Sequence, residues 1–393
     1  MKKVLVLNSG SSSLKYQLFA VEGDNYDVLA KGLAERIGID GSKIKIKYAN
    51  GDKNEVLVDL PNHEVALREV FKLLLNGAIT DLHEIAAVGH RVVHGGEIFQ
   101  ESALIDDKAL QNIADLSSLA PLHNPAAVIG IKAVKSILPD VAQVATFDTA
   151  FHQTMPKEAF LYGLPMEQYE KHHIRRYGMH GTSHRYIAQE VEKLLGKGKK
   201  VVVCHLGNGA SLSAIKDGKC IDTSMGFTPL SGIVMGTRSG DIDPYIPLHI
   251  MKTQGLSIDE VNNLLNKQSG EYGLSGYPDM REVEDTYLEG RKESVIAMDV
   301  YVYNIVKYIG SYTFALGGLD ALVFTAGIGE NSPVIRKLIM ERLAFLGIKV
   351  NEEANKARGG KFAEISTSDS AVKCYCIPTD EEVMIARDTI KLV

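Results

Sequence analysis

The sequence predicts an α/β protein built from two similar domains. Three observations carry that expectation. Strand-like and helix-like segments alternate through most of the chain. A continuously apolar run, a turn rich in glycine and small polar residues, and a second strand-like segment occur in that order twice, at residues 4–19 and 201–216. The length of 393 residues suits two or three domains of about 150 residues each.

Val4-Leu5-Val6-Leu7 reads as a strand buried on both faces. Residues 8–13 are turn chemistry, 14–19 return as a strand, and a third short strand is expected at 42–48. His90-Arg91-Val92-Val93-His94 reads as a strand running into Gly95-Gly96, so Arg91 can project to one face. Asp148 ends an apolar run, either at the carboxyl end of a strand, where ligands sit in open α/β sheets, or as a helix cap. The division falls within 146–153. It gives an N-terminal domain of 1–150, joined by the C-terminal helix 382–393, and a second domain of 151–381. In that second domain Val201-Val202-Val203-Cys204 repeats the opening strand, and Gly207 aligns with Gly10. Val302, Ile305, Val306 and Ile309 mark one face of a helix that stops at Gly317-Gly318. Residues 320–325 read as a strand, 326–331 as a Gly-rich loop, and Ser332-Pro333 as the start of another helix. Thr379-Asp380-Glu381-Glu382 fits a capping box opening the last helix.

Composition narrows the function. Hydrophobic residues at 45% and charged residues at 23% exclude a disordered, collagenous or coiled-coil chain. A net charge of −6 argues against nucleic acid or an anionic membrane as a general partner, though not against a local basic cleft. The four cysteines are too few for a disulfide scaffold and read as buried free thiols. The apolar run 4–7 is too short for a signal peptide, and no stretch approaches the about 20 apolar residues of a membrane helix. A soluble cytoplasmic protein is expected.

Three small-residue turns follow apolar strands, at 8–13, 205–209 and 327–331. Such turns let backbone N–H groups converge on a phosphate. None is a Walker A loop or a complete dinucleotide fingerprint, so each is also readable as a plain turn. Arg91, and Arg238 within Gly236-Thr237-Arg238-Ser239-Gly240, suit capture of a carboxylate or phosphate; a surface ion pair is the alternative. His180, flanked by Gly178 and Gly181, reads as a donor to an oxyanion or as a packed histidine. His180-Gly-Thr-Ser-His184 lacks the Glu of a zinc motif, and no G-x-S-x-G elbow surrounds Ser12 or Ser183. The residues alone support a two-domain α/β protein with a phosphate cleft.

Seven phrases in this order resemble the acetokinase family of acyl-phosphate-forming kinases: Asn8-Ser-Gly-Ser-Ser-Ser-Leu-Lys15, Gly89-His-Arg-Val-Val-His-Gly-Gly96, Phe147-Asp-Thr-Ala-Phe-His152, His180-Gly-Thr-Ser-His184, His205-Leu-Gly-Asn-Gly209, Met235-Gly-Thr-Arg-Ser-Gly-Asp241 and Gly327-Ile-Gly-Glu-Asn331. The resemblance covers residues 4 to about 390. It implies two α/β domains of the actin, heat-shock chaperone and sugar-kinase type around a nucleotide cleft. It also implies a homodimer, and reversible Mg²⁺-dependent (or Mn²⁺-dependent) transfer of a phosphoryl group from ATP to acetate. Asn8 and Glu381 would then hold the metal. Lys15, His205, Leu206, Gly207, Asn208, Gly209, Asp279, Met280, Arg281, Gly327, Ile328, Gly329, Glu330 and Asn331 would line ATP. Arg91 would grip the acetate carboxylate, and Val93, Leu122 and Pro229 would hold its methyl group. His180 and Arg238 would stabilise the transferring phosphoryl group. Asp148, usually assigned as a base, has no proton to remove from acetate, which is already ionised; orienting Arg91 or a metal-bound water suits it better. Met179 stands where the family commonly has phenylalanine, which leaves propionate and butyrate open as substrates. A nucleotide-dependent module without an acyl substrate and a sugar kinase are the readings from other classes.

Overall fold

The first apolar run becomes β1 (Lys2–Ser9), and the computed structural model describes residues 1–121 and 123–393. Strands β2 (Ser13–Glu22), β3 (Asn25–Glu35), β4 (Lys43–Tyr48) and β5 (Lys53–Leu57) continue from β1 as an antiparallel meander. On the other side of β1, β6 (Ile85–Val92) and then β8 (Ala142–Phe147) pair in parallel, with β7 (Ala103–Leu104) antiparallel at the edge. The sheet order is β5-β4-β3-β2-β1-β6-β8-β7. Parallel neighbours need crossover connections. The helices His63–Leu75 and Asn124–Ile137 supply them and cover one face, packing on Leu5, Leu7, Tyr16, Leu18 and Val88. The C-terminal helix Glu381–Leu392 covers the other, where Ile385 and Ala386 meet Val4, Val6 and Phe19. Burial on both faces is why β1 reads as an unbroken apolar run. These elements form one compact unit, Met1–Phe151 with Asp380–Val393.

The second unit, His152–Thr379, is built on β9 (Lys200–Leu206), β10 (Ala210–Lys216), β11 (Lys219–Thr223), β12 (Ala321–Thr325), β13 (Ala363–Glu364) and β14 (Lys373–Cys376). Their order is β11-β10-β9-β12-β14-β13. Five strands thus repeat the order β3-β2-β1-β6-β8 of the first unit, with the same parallel pairing of the third, fourth and fifth. The aligned turns at Gly10 and Gly207 are the sequence trace of that repeat. The helix marked by Val302, Ile305 and Ile309 runs Lys292–Leu316 and ends at Gly317 with φ +68°. All four cysteines are free and buried, and no described helix is long and apolar enough to cross a membrane.

Three local expectations are corrected. The strand Asn25–Glu35 was not among those expected. Residues 326–331 form a short helix, Ala326–Asn331, rather than a loop, because the Glu330 carboxylate reaches back one turn to accept the Ala326 N–H at 3.0 Å. The cap of the last helix is Asp380 rather than Thr379: the Asp380 carboxylate accepts the Val383 N–H at 2.9 Å, while the Thr379 hydroxyl is paired with Ser183.

Gly89 in β6 is where the C-terminal helix comes closest to the sheet. A Cβ there would lie 2.4 Å from Thr389 Oγ1 and 2.6 Å from Ile385. Gly89→Ala should therefore lower stability by about 1–3 kcal/mol through overpacking. Urea denaturation reads this directly, and an unchanged midpoint would show that the helix has room to shift.

Candidate active site

In the first unit the parallel pairing of β6 and β8 sets the geometry. Arg91 lies opposite Thr146 and Val92 opposite Phe147, so Asp148 follows β8 beside the end of β6 and donates its N–H to the Val92 carbonyl at 3.0 Å. The Arg91 Nε–H approaches both Asp148 carboxylate oxygens, at 3.2 and 3.1 Å, and Nη2 donates to Oδ2 at 2.7 Å. Asp148 is buried, and its charge, the largest influence on Arg91, holds that guanidinium firmly protonated. Glu381, the first residue of the C-terminal helix, stands 3.9 Å from Arg91 Nε. Burial pushes the Glu381 carboxyl up to about 7, although Arg91 pulls it down. Asn8, Lys15, Arg91, Glu381 and Glu382 line one small cavity, in which Lys15 and Glu382 form an ion pair. The turn between Asn8 and Lys15 is pinned by His63, whose Nε2 lies 2.7 Å from the Gly10 carbonyl.

The second unit gathers another set. His180 sits at φ +60° as the residue before the helix Gly181–Leu195, a conformation that is costly for a side-chain-bearing residue. Its ring stacks on His205 with centroids 4.2 Å apart, and its Nδ1 is 2.9 Å from Ser211 Oγ. Ser211 is also held by His184 Nε2 at 2.8 Å; burial lowers the His184 pKa and keeps that ring neutral. Gly209 lies between the groups: a Cβ there would be 3.2 Å from Arg238 Nη1 and 3.8 Å from the His180 ring. Among the described residues the Arg238 guanidinium donates only to the Pro229 carbonyl at 3.3 Å and the Met235 sulfur at 3.7 Å, and burial lowers its pKa. No carboxylate among the described residues answers its charge.

Beside these lies a cavity of about 900 Å³, lined by Gly207, Asn208, Asp279, Met280, Arg281, Gly327, Ile328 and Asn331 together with Gly236, Thr237, Pro278, Glu284, Asp285, Ser332 and Arg358. Asp279 caps the helix Met280–Leu288 and pairs with Arg281, which draws its carboxyl down to about 2.

The Acetokinase family model matches residues 3–387. The chain belongs to the acetokinase family. An acetate kinase of Thermotoga petrophila is 54% identical over 100% of this chain and 98% of its own length. The solved acetate kinase of Porphyromonas gingivalis is 44% identical, with TM-score 0.95 and complete coverage of both chains. A solved propionate kinase of Francisella tularensis is 43% identical, with TM-score 0.93 and the same coverage. These two solved relatives share the two-sheet α/β fold over the whole chain.

Against that family reading, the first unit brings together Asn8, Lys15, Arg91, Asp148 and Glu381, with Val93 half-buried just past β6. The second unit brings His180, His205, Gly209, Pro229 and Arg238 together. Leu122 lies outside the described residues. Leu206 is buried in β9, and Gly329 and Glu330 are held inside the second unit: the Gly329 carbonyl accepts from Arg336, and Glu330 accepts the Ala326 and Thr379 N–H groups. Met179 is buried, with its carbonyl 3.0 Å from His152 Nε2. Sequence reasoning missed His63, Ser211 and the Gly236-Thr237-Pro278-Arg358 part of the cavity. Only the Gly-Thr-Arg phrase offered a trace of these; the others become neighbours through tertiary contact.

Asp148→Asn keeps the shape of the Arg91 clamp but removes its charge. The variant should raise KM for the carboxylate substrate and lower kcat/KM about 10- to 100-fold, about 1.4–2.7 kcal/mol. Steady-state kinetics against wild type checks this, and near-normal turnover and KM would rule out an orienting role.

Proposed function

We infer that the protein is an acetate kinase, which transfers the γ-phosphoryl group of ATP to acetate and regenerates ATP in the reverse direction. The observation that carries this reading is Arg238: a half-buried guanidinium beside His180 and the Gly207-Asn208-Gly209 turn, with no carboxylate partner among the described residues. That arrangement suits a polyanion better than a neutral ligand. Family membership narrows the polyanion to ATP and the acceptor to a small carboxylate.

In the mechanism we propose, the glycine turns and the helices beginning at Ala326 and Met280 hold the nucleotide in the second unit. Arg91 holds the acceptor carboxylate: its Nε edge is committed to Asp148, so the Nη1 end remains for the substrate. A carboxylate oxygen attacks the γ-phosphorus as the bond from phosphorus to the β–γ bridging oxygen breaks, and ADP leaves. No proton moves, because the acceptor is already an anion. His180 and Arg238 neutralise charge spread over the equatorial oxygens, where most catalysis of phosphoryl transfer resides.

Glu381 supports a place for Mg²⁺. It is a half-buried carboxylate only partly compensated by Arg91, and the Asn8 amide lines the same cavity. Among the described residues no cluster of three or more His, Cys, Asp or Glu forms a protein cage. Magnesium suits such a setting, because it keeps several waters and takes one or two carboxylates plus phosphate oxygens. When bound it would neutralise phosphate charge. The same chain is proposed to work as a homodimer: the helix Tyr245–Gln254 has no buried residue and exposes Tyr245, Ile246 and Leu248, while Phe314 is 89% exposed on another helix. Sedimentation at twice 42.9 kDa is the check.

The deciding experiment is a panel of acetate, propionate and butyrate with ATP. Acetate should give the highest kcat/KM. Met179 beside His180 favours propionate as the second reading, since one methylene is worth only about 1–3 kcal/mol. Arg91→Ala should chiefly raise KM for acetate and Arg238→Ala chiefly lower kcat; the reverse pattern would exchange their roles. Apparent Mg²⁺ affinity should weaken as pH falls below about 7, because a proton then competes for Glu381. Glu381→Gln should remove that dependence, and an unchanged profile would take the metal away from this carboxylate.

A further inference from the structure

The helix Gly270–Ser275 is bound edge-on to the loop that carries Arg238. Ser269 donates its N–H to the Thr237 carbonyl at 3.1 Å, Glu271 to Met235 at 3.0 Å, and Tyr272 to Gly236 at 2.9 Å. Gly270 has φ +66°, and a Cβ there would fall 2.0 Å from the Met235 carbonyl. Among the described residues the Arg238 guanidinium donates only to the Pro229 carbonyl and the Met235 sulfur, so its direction depends on this loop.

Glu271 points from that helix into the interior. It is 0% exposed, and neither carboxylate oxygen has a hydrogen-bond partner among the described residues. The Tyr301 hydroxyl, on the long helix Lys292–Leu316, is buried and unpartnered as well. Tyr301 is the ionisable group that couples to Glu271, with Cys204 of β9 next to Tyr301. On the neighbouring helix Met280–Leu288, Arg281 is paired with Asp279, and Glu284 is bound to Ser332 with Arg358 at 3.9 Å. Arg238 turns to Pro229. Among the described residues no cation therefore meets the Glu271 carboxyl, and an ion in such a place is strongly disfavoured.

We propose that Glu271, as its uncharged acid, is a positioning residue for Arg238, and that its ionisation at alkaline pH loosens the 269–272 seat under the Arg238 loop. Burial alone pushes this carboxyl up to about 8, so the acid form prevails at neutral pH. Once ionised, the side chain is favoured to swing toward water. The three backbone bonds to residues 235–237 join this helix to the Arg238 loop, so a displaced helix carries Arg238 with it. This rests on the assignment of Arg238 to phosphoryl transfer, but its stability readout does not.

The test compares wild type with Glu271→Gln, which keeps shape, and Glu271→Met, which suits an apolar site. In the folded state this carboxyl keeps a proton that the unfolded chain has lost. Wild-type stability should therefore fall as pH rises from about 4.5 through about 8, by up to about tenfold in the folding constant per pH unit. Its kcat should fall over the upper part of that range while KM for acetate holds. Either variant should flatten both profiles relative to wild type. Variants that retain the wild-type stability slope overturn the uncharged state of Glu271. A flattened stability slope with an unaltered kcat profile overturns the link to Arg238. Unchanged kcat in Arg238→Ala would instead overturn the functional reading of Arg238, leaving the stability comparison to judge Glu271.

Discussion

The pairing of Arg91 with Asp148 is the constraint on which the first unit depends. It joins residues 57 apart, and Glu381 arrives from the other end of the chain to stand 3.9 Å away. Taking such charges out of water is expensive, and only a two-point contact with well-aligned donors recovers the cost. That contact needs β6 and β8 side by side and parallel, hence the crossover helices between them. It also needs the C-terminal helix to lie close on the sheet, hence a glycine at 89. Asp148 in turn takes the Nε and Nη2 edge of the guanidinium and leaves the Nη1 end.

Arg238 follows the opposite logic. Its neighbours are a carbonyl, a sulfur and a glycine, so its charge is compensated little by the protein. Such a group costs stability while alone and favours whatever anion it meets. His180 beside it is held in a left-handed conformation and wedged between His205 and Ser211. The two arginines thus differ in how much counter-charge each has; in the proposed mechanism one would clamp a ground-state carboxylate and the other would meet charge that develops during transfer.

Much of the framework was legible in the sequence because it follows from short-range physics. The apolar runs at 4–7 and 201–204 are strands buried on both faces, and glycine-bearing turns follow both. Ser332 and Pro333 open a helix as residue chemistry dictates. Asn25–Glu35 was harder to read because only Ala30 and Ala34 are fully buried along it, so it has no clean alternation. The Gly-x-Gly at 327–329 looks like a loop, yet a carboxylate three residues past Gly327 closes it into a helical turn. Thr379 and Asp380 have the same capping chemistry, and the choice between them fell to Ser183, which occupies the threonine hydroxyl.

The candidate site divides along the same line. Ordered phrases mark Arg91, Asp148, His180 and the glycine turns, since each sits where a strand ends or a helix begins, and Arg238, which sits in a loop between glycines. What the sequence by itself determined was the set of residue types and the local elements that carry them. Which edge of Arg91 is taken, which histidine stacks on His180, and that Glu271 is buried with no hydrogen-bond partner among the described residues were decided by tertiary structure alone. Those features depend on side chains far apart in the chain meeting in three dimensions, and desolvation acts on the environment rather than on the residue.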